Sequence, residues 1–216
     1  MHRRTWKLDL IARVEARVHA SPVPAPGPER WAAVSPAADE YRRVTARGAW
    51  RGERSTLVQA VTDRGGGYWV MTPLARDDGT VILVNRGFVP ADQRAPAAWE
   101  PPTSGPVTVT GLLRMTEPGG GFLRANDPAA DRWYARDVAA IARARGLAEV
   151  APYFIDVERG GGESALPVPG LTVIAFSNNH LVYGITWGVL ALMAAAGAVF
   201  VNLDLLRPGR GARAAV

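Results

Sequence analysis

Residues 67–85, GYWVMTPLARDDGTVILVN, decide the fold. Two runs rich in β-branched and aromatic residues, Gly67–Pro73 and Thr80–Asn85, flank Asp77-Asp78-Gly79, and Asp-Gly supplies the positive φ angles that a tight hairpin turn requires. The run Val81–Val84 is apolar at every position, which predicts a strand at the centre of a sheet with both faces covered.

Outward from this hairpin the pattern remains one of short β runs punctuated by turns. Tyr41–Trp50 and Ser55–Thr62 read as a second strand pair around the Arg51-Gly52-Glu53 turn. Val107-Thr-Val-Thr-Gly111 alternates as a half-buried strand does. Asp137 is placed to cap a helix running through Ala144, with Val138 and Ile141 on one face and Gly146 ending it. Tyr153–Val157 reads as a further strand, and Leu171–Phe176 as a last one. The expectation for residues 41–177 is an α+β domain, mainly an antiparallel β-sheet partly rolled into a barrel.

The flanks differ in kind. Residues 1–20 carry Trp6, Leu10, Val14 and Val18 at four-residue spacing, the stripe of an amphipathic helix with too many charges to cross a membrane. Residues 21–40 begin as the Pro-rich linker SPVPAPGP, expected to be extended and stiff. Leu181–Val201, LVYGITWGVLALMAAAGAVFV, contains no charge and has the length that crosses a hydrocarbon core of roughly 30 Å, so residues 178–203 are expected to form a transmembrane helix. Arg207, Arg210 and Arg213 make residues 204–216 a basic tail, which the positive-inside rule places in the cytoplasm, with the main domain on the other side.

Composition removes several function classes. The 216 residues carry a formal charge of +5, with arginines scattered among carboxylates from end to end rather than concentrated on one face, so nucleic-acid binding is not expected. There is no cysteine and there are only three histidines, His2, His19 and His180, which excludes disulfides and thiolate sites and disfavours a multi-histidine metal centre. The glycine triplets at Gly65, Gly119 and Gly160 lack the lysine and hydroxyl residue of a phosphate loop and read as turns. Asp77 and Asp78 lie at a hairpin tip, and no histidine is placed for a hydrolytic triad, so no enzyme is expected.

The constellation with chemistry in it surrounds His180. It stands one step outside the apolar run, behind Asn178 and Asn179, with Tyr183 and Trp187 three and seven residues further on roughly the same helical face. One imidazole there suits a haem iron as its axial ligand, with the aromatic rings against the macrocycle and the amides on its polar rim. The same residue types also make the ordinary interfacial cluster of a membrane helix end.

Asn178-Asn-His-Leu-Val-Tyr-Gly-Ile-Thr-Trp187 resembles the NNHLQYAxTW start of the second span in the Surfeit locus protein 1 family, membrane factors that assist assembly of haem-copper oxidases. Asn85-Arg-Gly-Phe-Val-Pro90 resembles that family's NRGWVP strand end, and Arg4–Ile11 its RxxWKxxLI helix. Tyr41–Val44, Gly67–Val70, Gly111–Arg114, Asn126-Asp-Pro128 and Trp133–Asp137 are similar to further family stretches in the same order. Val182 stands where the family has Gln, and Phe88 where it usually has Trp.

This resemblance implies two spans with an extracytoplasmic domain between them, the first lying ahead of Met1, and location in a bacterial inner membrane. It implies transient binding of haem a with His180 as ligand and Asn179, Tyr183 and Trp187 around it, and delivery to the cytochrome oxidase large subunit in concert with haem a delivery or synthesis proteins. Asn85, Arg86, Gly87 and Asn178 become candidates for meeting a haem edge or a partner. The alternative expectation is a membrane scaffold that stabilises oxidase subunits without touching haem, using the Gly184 and Gly188 face of the span.

Overall fold

The computed structural model describes residues 14–99, 101, 105–121, 124–158, 166–171 and 180–205. Its strands are β1 (Val23–Pro24), β2 (Arg43–Trp50), β3 (Thr56–Thr62), β4 (Gly65–Ala75), β5 (Val81–Pro90), β6 (Val107–Met115), β7 (Gly120–Gly121), β8 (Arg124–Ala125) and β9 (Val150–Val157). Its helices are α1 (Pro36–Asp39), α2 (Val138–Ala144) and α3 (His180–Leu205). Residues 14–19 are also helical. The chain divides into two units, Met1–Val173 and Ile174–Val216.

In the first unit the strands follow the order β1-β2-β6-β9-β5-β4-β3, and a further pairing of β2 with β4 closes the middle five into a barrel. Closure leaves those five strands without a free edge. Alternation then sorts the side chains: Val44, Ala46, Leu74, Ile82, Val84, Val109, Leu113, Ala151, Tyr153 and Ile155 form one buried cluster contributed by all five strands, the barrel interior. The opposite parity of β4, β5 and β9 contributes Met71, Leu83 and Phe154 to a second cluster, roofed by Trp133 and by Val138 and Ile141 of α2. The centrality expected of Val81–Val84 follows from this arrangement, since β5 is flanked by β9 and β4 and covered on both faces.

The local signals act as the sequence indicates. Asp78 accepts from the Thr80 amide at 3.0 Å and from its hydroxyl at 2.6 Å, and Gly79 takes φ +83° to turn β4 into β5. The Asp137 side chain accepts from the Ala140 amide at 3.0 Å to cap α2, and Gly146 at φ +61° ends it.

Three features depart from expectation. The strands flanking the turn at 51–53 do not pair with each other: β2 and β3 both pair with β4, at Trp50↔Leu74 and Thr56↔Met71. They lie end to end along one long strand, because the one-turn 3-10 helix Gly52–Arg54 carries the chain forward instead of reversing it. Second, β5 and β9 run parallel, one exception in a barrel that is otherwise antiparallel, as expected. Third, the Pro-rich segment is pinned to the barrel: Val23 pairs with Val44, the Ala25 amide donates to the Thr45 carbonyl at 2.8 Å, and the buried Tyr153 hydroxyl donates to the Pro26 carbonyl at 2.6 Å. Of the last expected strand, only Leu171 lies within the described residues.

In the second unit, α3 is 26 residues long, and apolar side chains on all its faces are exposed, including Leu192, Met193 and Phe200. Its side-chain surroundings are described from 186 to 202. Among the described residues no helix is long and apolar enough to cross a membrane.

Candidate functional site

The first unit brings its polar residues together at one rim of the barrel. Strand β9 ends there, with the Gly170 amide donating to the Val157 carbonyl at 3.2 Å, and Arg43 at the start of β2 donates to the Ala20 carbonyl at 3.4 Å while pairing with Glu158 at 2.6 Å. The segments preceding and following the barrel therefore lie side by side at this rim.

Just inside the rim, Asn85 and Asp156 stand in register on the adjacent parallel strands β5 and β9, at positions where an apolar run would otherwise continue. Both are buried, at 3% and 2% exposure. Asn85 Nδ2 donates to Asp156 Oδ1 at 2.8 Å. Arg114 of β6 donates to Asp156 Oδ2 at 3.1 Å, and Arg136, just before α2, donates to Oδ1 at 3.2 Å. Arg136 also forks onto Glu117, and its guanidinium lies 4.7 Å from the centre of the Phe154 ring. Burial alone would lower the Arg136 pKa, but Asp156 and Glu117 outweigh it and raise it; burial alone would raise that of Glu117, but Arg136 outweighs it and holds the carboxyl below its ordinary value.

The network borders a cavity of about 410 Å³ lined by Val61, Thr62, Asp63, Trp69, Arg114, Arg136 and Leu171. Glu40 stands 3.5 Å from Arg114 Nε, an ion pair but not a hydrogen bond. With Asp156, Glu117 and Glu40 facing two guanidiniums, the cluster supplies its own counter-charges. It is built to hold the rim rigid rather than to attract an anion.

The expected Asn85-Arg86-Gly87 motif turns out to be a β-bulge. Trp69 pairs with Phe88 but Met71 with Asn85, so Arg86 and Gly87 together face Val70. Asn85 Oδ1 accepts from the Gly87 amide at 3.2 Å, and Gly87 sits at φ +134° with no room for a Cβ beside the Val168 carbonyl. The bulge redirects Arg86, whose Nη1 donates to the Trp99 carbonyl at 2.6 Å and whose guanidinium lies 5.5 Å from the Trp50 ring centre. Among the described residues Arg86 has no carboxylate partner, and burial lowers its pKa to about 10.

His180 and Tyr183 lie in the first turns of α3, where side-chain surroundings are not described, and Asn178 and Asn179 lie outside the described residues. Trp187 is 68% exposed. Among the described residues no group of three His, Asp or Glu stands where it would hold a metal ion. Sequence reasoning passed over Asp156, Arg114, Arg136 and Glu117, although one signal was available: Asp156 closes the otherwise apolar run Tyr153-Phe-Ile as Asn85 closes Val81–Val84.

Comparison with known proteins fits this arrangement into a group. The SURF1 family profile matches residues 1–192. The chain is 35% identical to Surfeit locus protein 1 of Homo sapiens over 206 residues, covering 87% of this chain and 66% of the human protein. It is 35% identical to that of Rattus norvegicus, covering 64% of the rat protein, and 33% identical to a SURF1-like protein of Monosiga brevicollis, covering 79% of it. The chain thus spans slightly less than two thirds of the mammalian relatives.

Proposed function

The chain belongs to the SURF1 family, and on that premise we propose that it is a membrane-anchored assembly factor for a haem-copper oxidase, binding haem a as cargo and helping its insertion into the large subunit. The observation that carries this reading is the reach of the family match, which runs without a break through His180 to residue 192. In this reading α3 is the anchor, consistent with a helix whose apolar side chains are exposed all round. The barrel domain stands on the extracytoplasmic side of the inner membrane. His180 holds the haem iron, with Asn179, Tyr183 and Trp187 about it. The exposed indole of Trp187 has surface free to pack on a flat apolar ring. The protein catalyses no reaction itself; one imidazole suits a carrier that must release its load.

The test is spectroscopic. The full-length protein is expected to bind haem a, and His180→Ala to lose the absorption band of the bound haem while its far-ultraviolet circular dichroism is unchanged. Full retention of the band by the variant removes His180 from the mechanism.

A scaffold that touches no haem is the second reading, supported by Gly188, where a Cβ would meet nothing within 4 Å, leaving a narrow open face on α3. It predicts that Gly184→Leu and Gly188→Leu abolish capture of oxidase subunits, while His180→Ala leaves oxidase yield unchanged.

A further inference from the structure

Two arginines at the rim, Arg114 and Arg136, are matched by carboxylates of their own chain; among the described residues Arg86 is not. Its only hydrogen bond among the described residues goes to a neutral carbonyl, that of Trp99. Its remaining neighbour of note is the face of Trp50. The side chain is half-buried, and burial depresses its pKa to about 10, with no anion among the described residues to offset the lost hydration. Retaining a half-buried guanidinium with no counter-ion among the described residues costs the fold stability, yet the β-bulge, the positive φ of Gly87 and the Asn85 bond to the Gly87 amide fix where this residue leaves the strand.

We propose that Arg86 is a docking contact that receives an acidic side chain from a partner protein, with Asn85 and Gly87 as its positioning residues. The shape of the surroundings favours a protein over a small acid. The loop that accepts its hydrogen bond follows a run, 91–97, that is exposed throughout, a surface that a folded partner can cover. A carboxylate arriving there gains a fork of donors already desolvated and oriented, which is the condition under which an ion pair adds most to affinity. The partner's identity, an oxidase subunit, rests on the reading above; the seat itself does not.

Two measurements on the full-length protein in detergent test this. The first follows the side-chain Nε–Hε signals of the arginines by nuclear magnetic resonance while propionate, or neutral propionamide as control, is added. Arg86 is expected to shift saturably with propionate alone, and further than Arg114 or Arg136, whose carboxylates are already in place. No preferential shift at Arg86 overturns the proposal. The second compares the parent, Arg86→Lys and Arg86→Gln for thermal midpoint and for capture of the purified oxidase large subunit. Arg86→Gln is expected to remain folded, melting somewhat below the parent for want of the Trp99 hydrogen bond, and to lose capture roughly tenfold or more, with Arg86→Lys between. A propionate shift with undiminished capture by Arg86→Gln assigns the seat to a small acid and overturns the protein contact. If the parent responds to propionate but captures no oxidase subunit, the oxidase reading fails while the carboxylate seat on Arg86 stands.

Discussion

Asn85 and Asp156 face each other across the barrel's one parallel pairing, joined by an amide-to-carboxylate hydrogen bond of 2.8 Å. Asp156 thereby ties β5 to β9, while Arg114 and Arg136 bring β6 and the start of α2 to the same carboxylate. Three strands and a helix meet on one side chain that has almost no contact with solvent.

Replacing Asp156 by Asn keeps the shape and removes the buried charge, leaving two half-buried guanidiniums short of a partner. The expected loss of stability is about 3–5 kcal/mol, as for breaking one side of a buried ion pair. Urea denaturation checks it; a loss within error of zero shows that the arginines are neutralised by Glu117 and Glu40 alone.

Gly87→Ala sets a methyl group against the Val168 carbonyl at a backbone angle that L residues avoid. Backbone strain alone is worth on the order of 1–3 kcal/mol. Because the Phe88 and Val168 amides donate to each other's carbonyls at 2.9 and 2.8 Å, the local symptom is faster hydrogen exchange at those two amides.

Glu117 gives the fold a pH dependence of definite sign. Its pKa is held below the ordinary 4.5 in the folded protein, so its contribution is complete above that value and is lost as the pH falls through the lower, folded one. The parent is therefore expected to exceed Glu117→Gln in stability by more at about pH 7 than at about pH 3. Parallel urea titrations at the two pH values decide it. Exposure of the carboxylate, at 38%, keeps the effect modest.

Tyr153→Phe removes the hydroxyl that holds the Pro26 carbonyl and leaves that acceptor buried beside the core. Because the Trp31 indole still donates to that carbonyl, a cost of about 0.5–1.5 kcal/mol is expected. Proteolysis should then cut within residues 21–34 more readily, whereas an unchanged cleavage pattern shows that Trp31, whose indole donates to the same carbonyl at 3.1 Å, suffices to hold the strap.

Hairpins, caps and centrality were legible in the sequence because each rests on neighbours in the chain: Asp78 with Thr80, Asp137 with Ala140, the unbroken run at Val81–Val84. Partnership between distant strands was not. Whether the turn at Gly52–Arg54 reverses the chain or carries it on depends on β4 being long enough to serve two strands in series, which no feature of residues 51–54 reports. The same limit explains the site. Asn85-Arg86-Gly87 stood out as a motif, but that it forms a bulge, and that its asparagine leans on Asp156, follows only from the register of β5 against β4 and β9. Arg114 and Arg136 lay unremarked in recognisable stretches because arginine is frequent throughout this chain and frequency hides burial.

The barrel's closing pairing is also its shortest. Strands β2 and β4 meet at only Ala49↔Ala75 and Trp50↔Leu74, against eight pairs between β4 and β5, and Gly48 must remain without a side chain for the Ala75 carbonyl to approach. A cylinder fastened by so narrow a clasp breathes there first, unrolling toward an open sheet without disturbing the charged rim. Any larger rearrangement of the barrel is expected to have its cheapest hinge at that clasp.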